Sequence, residues 1–529
     1  MKRALWIVLA VFLLLFISIG VYAIYNMQDR HPDYALDLVL PEKGSEDGVK
    51  NQFSIGLAKV TITPEIVDTW VDADSNARYQ PDKGDTFIDN NGNGEFDAYW
   101  LAGFQNNRPA TGVHDDIWAR TVVWDDGNRR IALVVLDAVG FFHDDVIDVR
   151  AMVAQKGWDV DHLIISSTHN HEVPDLMGLW GNGIFSSGVD DGYMAFVKER
   201  IVESVGQSVK NMRPAIVKIS RIDTTASDLV RDSRKPLILD NAIHLMQFCD
   251  AQTMKPFGML MNWGNHPETV GSDNLQITAD FAHYWIKGVE EGIIYDDQIK
   301  RPGLGVTAIF ANGAVGGLMT SLGSDIYDPW LDQRFKRSTF DKARAQGHRL
   351  AELVLDQTEN GEWEEIAAPS IGLYARTFLF DLDNFLFRIG GALGVLDRGF
   401  VDFGKLRSEV NLVTMGPVWI MTIPGEINPE IVNGGIEIPE GADYPDAIIE
   451  SPAIRKLMRG KYNFVIGLAN DEVGYIMPKS HWDVEEPFTY GYKKRPYGEI
   501  NSLGVETGPT VYRQVKDLIE SVPVNDPSN

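Results

Sequence analysis

The stretch "IISSTHNHEVPD", residues 164–175, carries a short apolar run into two histidines placed two positions apart. Such a run reads as a buried strand, and side chains two apart on an extended chain share a face. His169 and His171 are therefore expected to project the same way from the strand's C-terminal end, where α/β sheets collect their ligands. Two neutral imidazoles so placed suit zinc or a similar divalent ion; a hydrogen-bonded pair of loop histidines is the plain alternative.

Further runs of the same kind lie on both sides: "RIALVVLD", "AIHLMQF", "GVTAIFA", "PVWIMTIP" and "YNFVIGLA". Their β-branched content and short length predict buried strands. Between them, "YMAFVKERIVESVGQSVKNM" and "FDKARAQGHRLAELVLDQTE" carry helical periodicity. The alternation predicts an α/β fold, a large mixed β-sheet body flanked by helices. No repeat, low-complexity block or Pro-rich linker divides residues 53–529, so one catalytic domain is expected there. The apolar segment "NFLFRIGGALGVL", residues 384–396, reads as a core segment or as a lid lying on membrane or lipid.

The N-terminus opens with Lys2 and Arg3 and continues in an uncharged apolar run long enough to cross a bilayer. Residues 1–26 are thus a membrane anchor or signal segment. The run is longer than a usual signal-peptide core, which favours an uncleaved anchor over cleavage after "VYA". Positive charge before the span predicts an extracytoplasmic body, tethered to the membrane or, after cleavage, secreted or periplasmic. Residues 27–52 are polar and interrupted by Pro and Gly, as in a short tether.

With 48 Lys and Arg against 75 Asp and Glu, the net charge is −27, which repels phosphate backbones and excludes nucleic acid as a partner. Cys249 is the only cysteine, so no intrachain disulfide and no thiolate cluster can form. A metal must take His, Asp, Glu or Tyr. Three stretches supply these at strand ends: "MNWGNHPETVG" presents His266, "PVWIMTIPGEI" presents Glu426 after a Pro-Gly turn, and "VIGLANDEVGYIMP" presents Tyr475.

Taken in order, "STHNH", "WGNHP", "IPGE" and "GLANDEVGYI" resemble the catalytic domain of neutral ceramidases, zinc amidases that cleave N-acyl sphingosines. The resemblance runs from "FSIGLAKVTITP" near residue 53 to "YGEINSLGVETGP" near residue 509. It implies a Zn²⁺ held by His169, His266, Glu426 and Tyr475, with His171 contacting substrate and shuttling protons. Such a ligand set leaves zinc a net positive charge that polarises an amide carbonyl and acidifies water. Tyr475 is expected either to bind the metal or to stabilise the developing oxyanion. The family's substrate-side arginine corresponds to Arg231 or Arg234 in "VRDSRKP", with Arg231 taken as the catalytic one.

Departures accompany the likeness. The family's Asn-x-Gly-Asp-Val-Ser-Pro motif appears as "NGAVGGLMTSLG", with Gly317 in the Asp position and Met319 in the Ser position. In the histidine loop Glu172 and Val173 replace a small pair, which implies a differently shaped pocket. From Tyr475 to Asn529 the chain is too short for the β-sandwich domain that follows in full-length ceramidases. These differences shift the expected substrate from ceramide in particular to an amide, such as an N-acyl lipid, with esters and other acyl compounds as alternatives. A non-catalytic, ceramidase-like envelope binding protein is the reading from another class. A metal-dependent amidohydrolase barrel would instead place its His-x-His pair on the first strand, whereas here the pair lies past residue 160.

A second loop, "DTFIDNNGNGEFDAYW", spaces oxygen donors at Asp89, Asn91, Asn93 and Asp97 around Gly94. It resembles the first nine positions of a calcium loop, with Trp100 where a bidentate Glu would stand. Structural Ca²⁺ is expected there, against an Asn-Gly hairpin without metal.

Overall fold

The computed structural model describes residues 2–40, 53–224, 228–445 and 448–523. The strands fall into two principal sheets. A nine-stranded mixed sheet runs in the order Thr307–Asn312, Pro256–Trp263, Ala242–Asp250, Arg213–Asp223, Ser54–Thr61, Trp118–Asp125, Arg130–Leu136 and His162–Ser167, and Glu364–Ala367 also pairs with Arg213–Asp223. Its two outermost pairs are parallel. A five-stranded sheet runs Asp37–Leu40, Ile371–Asp381, Lys405–Met415, Val418–Thr422 and Tyr462–Ile466, and its last pair is parallel.

Alternation along the strands stacks these sheets into layers. On Arg130–Leu136, the side chains of Ile131, Leu133 and Val135 meet Leu373, Ile420 and Phe464 of the other sheet in one buried core. Ala132, Val134 and Leu136 point the opposite way, onto helices α2 (His143–Gln155) and α3 (Asp191–Lys210). The same outer face is covered further along by α4 (Asp280–Glu290) and α5 (Phe340–Asn360), which pack on Met259, Met261 and Phe310. The C-terminal helix Thr507–Ser521 closes the outer face of the smaller sheet against Leu412, Trp419 and Met421. The order is helix, sheet, sheet, helix, and inner strands buried on both faces explain the unbroken apolar runs of the sequence.

The mixed α/β body flanked by helices is as the sequence predicts, with its strands divided between two sheets. An unbroken apolar run reports that both faces are buried, not which layer covers each.

The N-terminal segment differs more. Helix α1 spans Lys2–Asn26, and the chain that follows does not leave the body as a tether. Met27 packs into the core of the smaller sheet, Arg407 grips Asp29 with both guanidinium nitrogens at 2.7 and 2.8 Å, and Asp37–Leu40 forms an edge strand on Ile371–Asp381. Alternating apolar residues in "YALDLVL" suffice for that edge. The remainder of the expected tether, residues 41–52, lies outside the described residues.

Arg150 on α2 ties the layers together. It donates to both oxygens of Glu409 at 2.7 and 2.8 Å, to the Leu163 carbonyl, and to the Tyr34 hydroxyl at 2.6 Å. Burial alone would raise the Glu409 carboxyl, but the Arg150 charge and hydrogen bonds hold it well below the usual carboxylate range. Removing one partner strands the other charge in the interior. Arg150→Ala is expected to lower unfolding free energy by about 3–5 kcal/mol, read as an earlier midpoint in denaturant titration of the detergent-solubilised chain.

Candidate metal centre and its pocket

Four chain segments converge where the strands of the two sheets end. The first leaves its strand before the histidines: His162–Ser167 stops short, and His169 takes a left-handed φ of 63°. The His169–His171 pair is therefore set by a turn rather than by strand alternation, yet the two rings still meet edge to face with centroids 4.9 Å apart. A non-glycine residue in that conformation is held by its surroundings. Here the His169 Nδ1–H donates to the Val139 carbonyl at 2.7 Å.

His266 follows the strand Pro256–Trp263 and behaves alike, its Nδ1–H donating to the Met319 carbonyl at 2.7 Å. A carbonyl only accepts, so each bond places a proton on Nδ1 and makes Nε2 the atom that each ring offers to Glu426 or, once deprotonated, to a metal. Both Nε2 atoms face Glu426 Oε2, at 3.4 Å from His169 and 3.0 Å from His266. Glu426 arrives on a two-residue parallel ladder in which it pairs directly with Tyr475, whose hydroxyl hydrogen-bonds the same carboxylate. The sequence-predicted His169, His266, Glu426 and Tyr475 thus meet at one point, all buried.

One fully buried amide binds two of these loops. Asn312 Nδ2 donates to the Thr168 carbonyl at 2.7 Å and to the Asn265 carbonyl at 2.9 Å, while its Oδ1 accepts from the Asn265 N–H. Each bonded group is next in sequence to a converging histidine.

The donor set fits a tetrahedral divalent ion. Ligand atoms about 2.0–2.1 Å from zinc stand roughly 3.3–3.4 Å apart, close to the separations across Glu426 Oε2. The charge balance agrees. Burial would raise the Glu426 carboxyl, but His169 and His266 outweigh it and hold the group anionic. Burial, with Glu426 beside it, raises the Tyr475 phenol well above its ordinary value, a shift that a cation at this point would oppose. His171 completes a histidine group whose ligating atoms all lie within 4.8 Å of one another.

His171 is not locked to a carbonyl. Its Nδ1 lies 3.3 Å from Glu268 Oε2, within ion-pair range, and neither ring nitrogen, both buried, has a well-aligned hydrogen-bond partner. Burial pushes the imidazole down to about 4, against the opposing pull of Glu268. Its ring also rests on Gly103, where a Cβ would stand 2.3 Å from the imidazole. That glycine, at φ +94°, admits no side chain without moving His171.

Around this point lies a cavity of about 810 Å³. Its lining combines the apolar side chains of Phe142, Met177, Phe387, Leu396, Leu406 and Leu503 with polar ones that include Arg231, Glu268, Arg398 and Glu472. A two-residue antiparallel bridge sets much of the polar wall by pairing Arg231 with Thr320 and Asp232 with Met319. Directly opposed residues share a face, so Arg231 and Thr320 turn to the cavity while Met319 enters the core packed on α4 and α5. Arg234 does not reach the cavity; it is locked on Glu499 through two bonds of 2.7 Å. The structure brings Arg231, not Arg234, to the pocket.

The two motif departures look different in three dimensions. A Cβ on Gly317 would lie 3.2 Å from the Asp232 carboxylate, so a neighbour's acid occupies the space beside it. Glu172 and Val173 turn away from the cavity. Glu172 is held by Asn274 at 2.8 Å and Arg108 at 3.4 Å, and Val173 joins the core under α2 and α3. Arg108 also donates to the His171 carbonyl, so the pair braces the histidine loop rather than reshaping the pocket.

Sequence reasoning misses Glu268, Glu472 and Tyr497, and sets Thr320 aside because it stands one position beyond the family's serine. Glu268 was within reach, since it repeats the two-residue spacing of His169 and His171 after His266. The Thr320 hydroxyl donates to Glu268, forming a line from Thr320 through Glu268 to His171. Glu472 lines the cavity with its carboxyl raised well above the usual range by burial and by Glu426.

The residues Asp89, Asn91, Asn93 and Asp97 do form one exposed loop. Asp89 accepts from the Gly92 and Gly94 N–H groups at 2.6 and 2.9 Å, while the amides of Asn91 and Asn93 donate to Asp97 Oδ2 at 2.6 and 2.8 Å.

No protein-family model matches the chain. Among solved structures, its fold is similar to that of neutral ceramidase from Pseudomonas aeruginosa, with a TM-score of 0.63 and 16% identity over 92% of this chain and 76% of that one. A ceramidase complexed with C2 is similar at a TM-score of 0.62 and 15% identity, with the same coverage. The chain therefore has the neutral ceramidase fold.

After reconstitution with zinc, elemental analysis is expected to find about one ion per wild-type chain and none in His266→Ala or Glu426→Ala. Asn312→Ala, which leaves the ligands in place but frees their loops, is expected to bind more weakly.

Proposed function

We propose that this chain is a divergent relative of the neutral ceramidases: a membrane-anchored, extracytoplasmic, zinc-dependent hydrolase that cleaves the amide of an N-acyl lipid or a related amphiphile. The observation that carries the reading is the convergence of the His169 and His266 Nε2 atoms with the Glu426 carboxylate in the wall of a cavity that also presents a large apolar surface. Zinc held there supplies Lewis acidity, polarising the acyl carbonyl and acidifying water.

The chain's own residues take the remaining roles. The apolar wall formed by residues such as Phe142, Leu406 and Leu503 takes an acyl chain and excludes water from the histidine end. Tyr475 presents its hydroxyl where negative charge develops on the carbonyl oxygen. Arg231, on the cavity wall, receives the polar head of the substrate. His171, with its free Nε2, delivers a proton to the departing nitrogen, and Glu268 orients the ring through Nδ1. Position 319 holds no serine, and the neighbouring Thr320 turns its hydroxyl to Glu268.

A panel of N-acyl lipids incubated with the metal-loaded chain is expected to release free fatty acid. His171→Ala and Gly103→Ala should retain metal and lose turnover by about 10²–10⁴-fold. Metal and lipid binding with no release from amide or ester substrates would instead favour the binding-protein reading.

For the loop at residues 89–97, structural calcium is a separate proposal. The loop draws the Asn91 and Asn93 side chains onto the Asp97 carboxylate and folds Asp89 over the Gly92 and Gly94 N–H groups, so four oxygen-bearing side chains share one short turn. Calorimetric titration with Ca²⁺ is expected to show binding heat in wild type and none in Asp89→Ala.

A further inference from the structure

Helix α6, Phe385–Ala392, is apolar and ends beside a glycine pair, and its outward side chains are not covered. Phe385 and Leu386 are 71% and 63% exposed, and Ile389 and Leu393 are partly exposed along the same segment. The helix is not loose. Gly391 sits so close to Phe400 that a Cβ would stand 2.3 Å from the ring, and Asn384 caps the first turn. A firmly held helix with an uncovered apolar face marks an interaction surface.

What lies beside that surface identifies its partner. The terminal part of α1 packs on the end of α6: Tyr22 donates to the Leu393 carbonyl and Asn26 to the Ala392 carbonyl, each at 3.2 Å. Arg30 then pairs with Asp397 at 2.7 Å, and Asp29 with Arg407. Residues Leu5–Asn26 are long and apolar enough to cross a bilayer, and none of that span is buried in the body. The body therefore sits directly at the end of the span, with no slack between them. A bilayer around α1 reaches the level of Tyr22, which touches the C-terminal end of α6.

The catalytic cavity reaches the same place. Phe387 on α6 and Leu396 just after it belong to its apolar wall. Beside them runs the loop that carries Leu179 and Trp180, which also line the cavity; it abuts Val395 at Gly178 and exposes Ile184 and Phe185.

We infer that α6 lies in the membrane interface beside the N-terminal span, so that the apolar end of the cavity opens onto the leaflet and an acyl chain enters from lipid rather than from water. The inference rests on α1 remaining in the membrane, as proposed above, but not on hydrolysis.

The test uses the full chain with Cys249→Ala, carrying one new cysteine at a time labelled with an environment-sensitive fluorophore. The chain is reconstituted into phosphatidylcholine vesicles with or without nitroxide-bearing lipids. Leu14→Cys reports the span, Phe385→Cys and Leu386→Cys report α6, and the exposed Ile299→Cys serves as a water-facing control. The expected result is loss of fluorescence to the nitroxide at positions 14, 385 and 386, and quenching by aqueous iodide only at 299. Quenching by nitroxide at 14 with iodide access at 385 and 386 would overturn the docking while leaving the anchor. Shielding of 385 and 386 from both quenchers would overturn it in favour of a protein cover, such as a second copy. Loss of the label at 14 from the vesicles, or a mass showing cleavage, would overturn the anchor and the inference together.

Discussion

The side chain of Asn312 is the constraint on which the rest of the site depends. Its amide ties the loop before His169 to the loop before His266, at the junction where strands of the nine-stranded sheet end. A buried amide satisfied on both sides has one orientation, and an unpaired carbonyl in its place would cost about 1–3 kcal/mol. The two histidines are thus positioned by backbone their side chains do not touch. Carbonyls of Val139 and Met319 then aim the rings, so that every element at the centre is oriented by a group behind it.

That architecture concentrates negative charge in a dry place. Glu426, Glu268 and Glu472 surround one cavity, and all three are buried. Glu472 answers by favouring its protonated form, while Glu426 and Glu268 are held anionic by the neighbouring imidazoles. Such an arrangement is costly for the chain alone and balanced by a divalent cation. The polar end is therefore prepared for charge, and the remaining wall for hydrocarbon, within one continuous space.

Much of this was legible in the sequence. The apolar runs mark the strands, and His169, His266, Glu426 and Tyr475 stand at their ends as the motifs suggest. What was hidden depends on which face a short element presents. Met319 and Thr320 are adjacent, and only the pairing of Thr320 with Arg231 turns the hydroxyl inward and the thioether outward. Glu172 reads as a charge beside the metal, yet its partners Arg108 and Asn274 come from distant loops that draw it away. The segment after α1 reads as polar linker because its few apolar residues gain meaning only against an edge strand contributed from beyond residue 370. Local pattern carries element type; tertiary pairing decides facing.

At Met27, Asp29 and Arg30 the end of the N-terminal helix is fastened to the body by one core contact and two ion pairs. With no tether to absorb rotation, the tilt of the helix and the attitude of the body become one variable. A bilayer that changes thickness changes the preferred tilt of any helix that spans it. In the membrane-spanning arrangement proposed for α1, a few degrees at the helix become a displacement of the body that grows toward the far edge of the sheets.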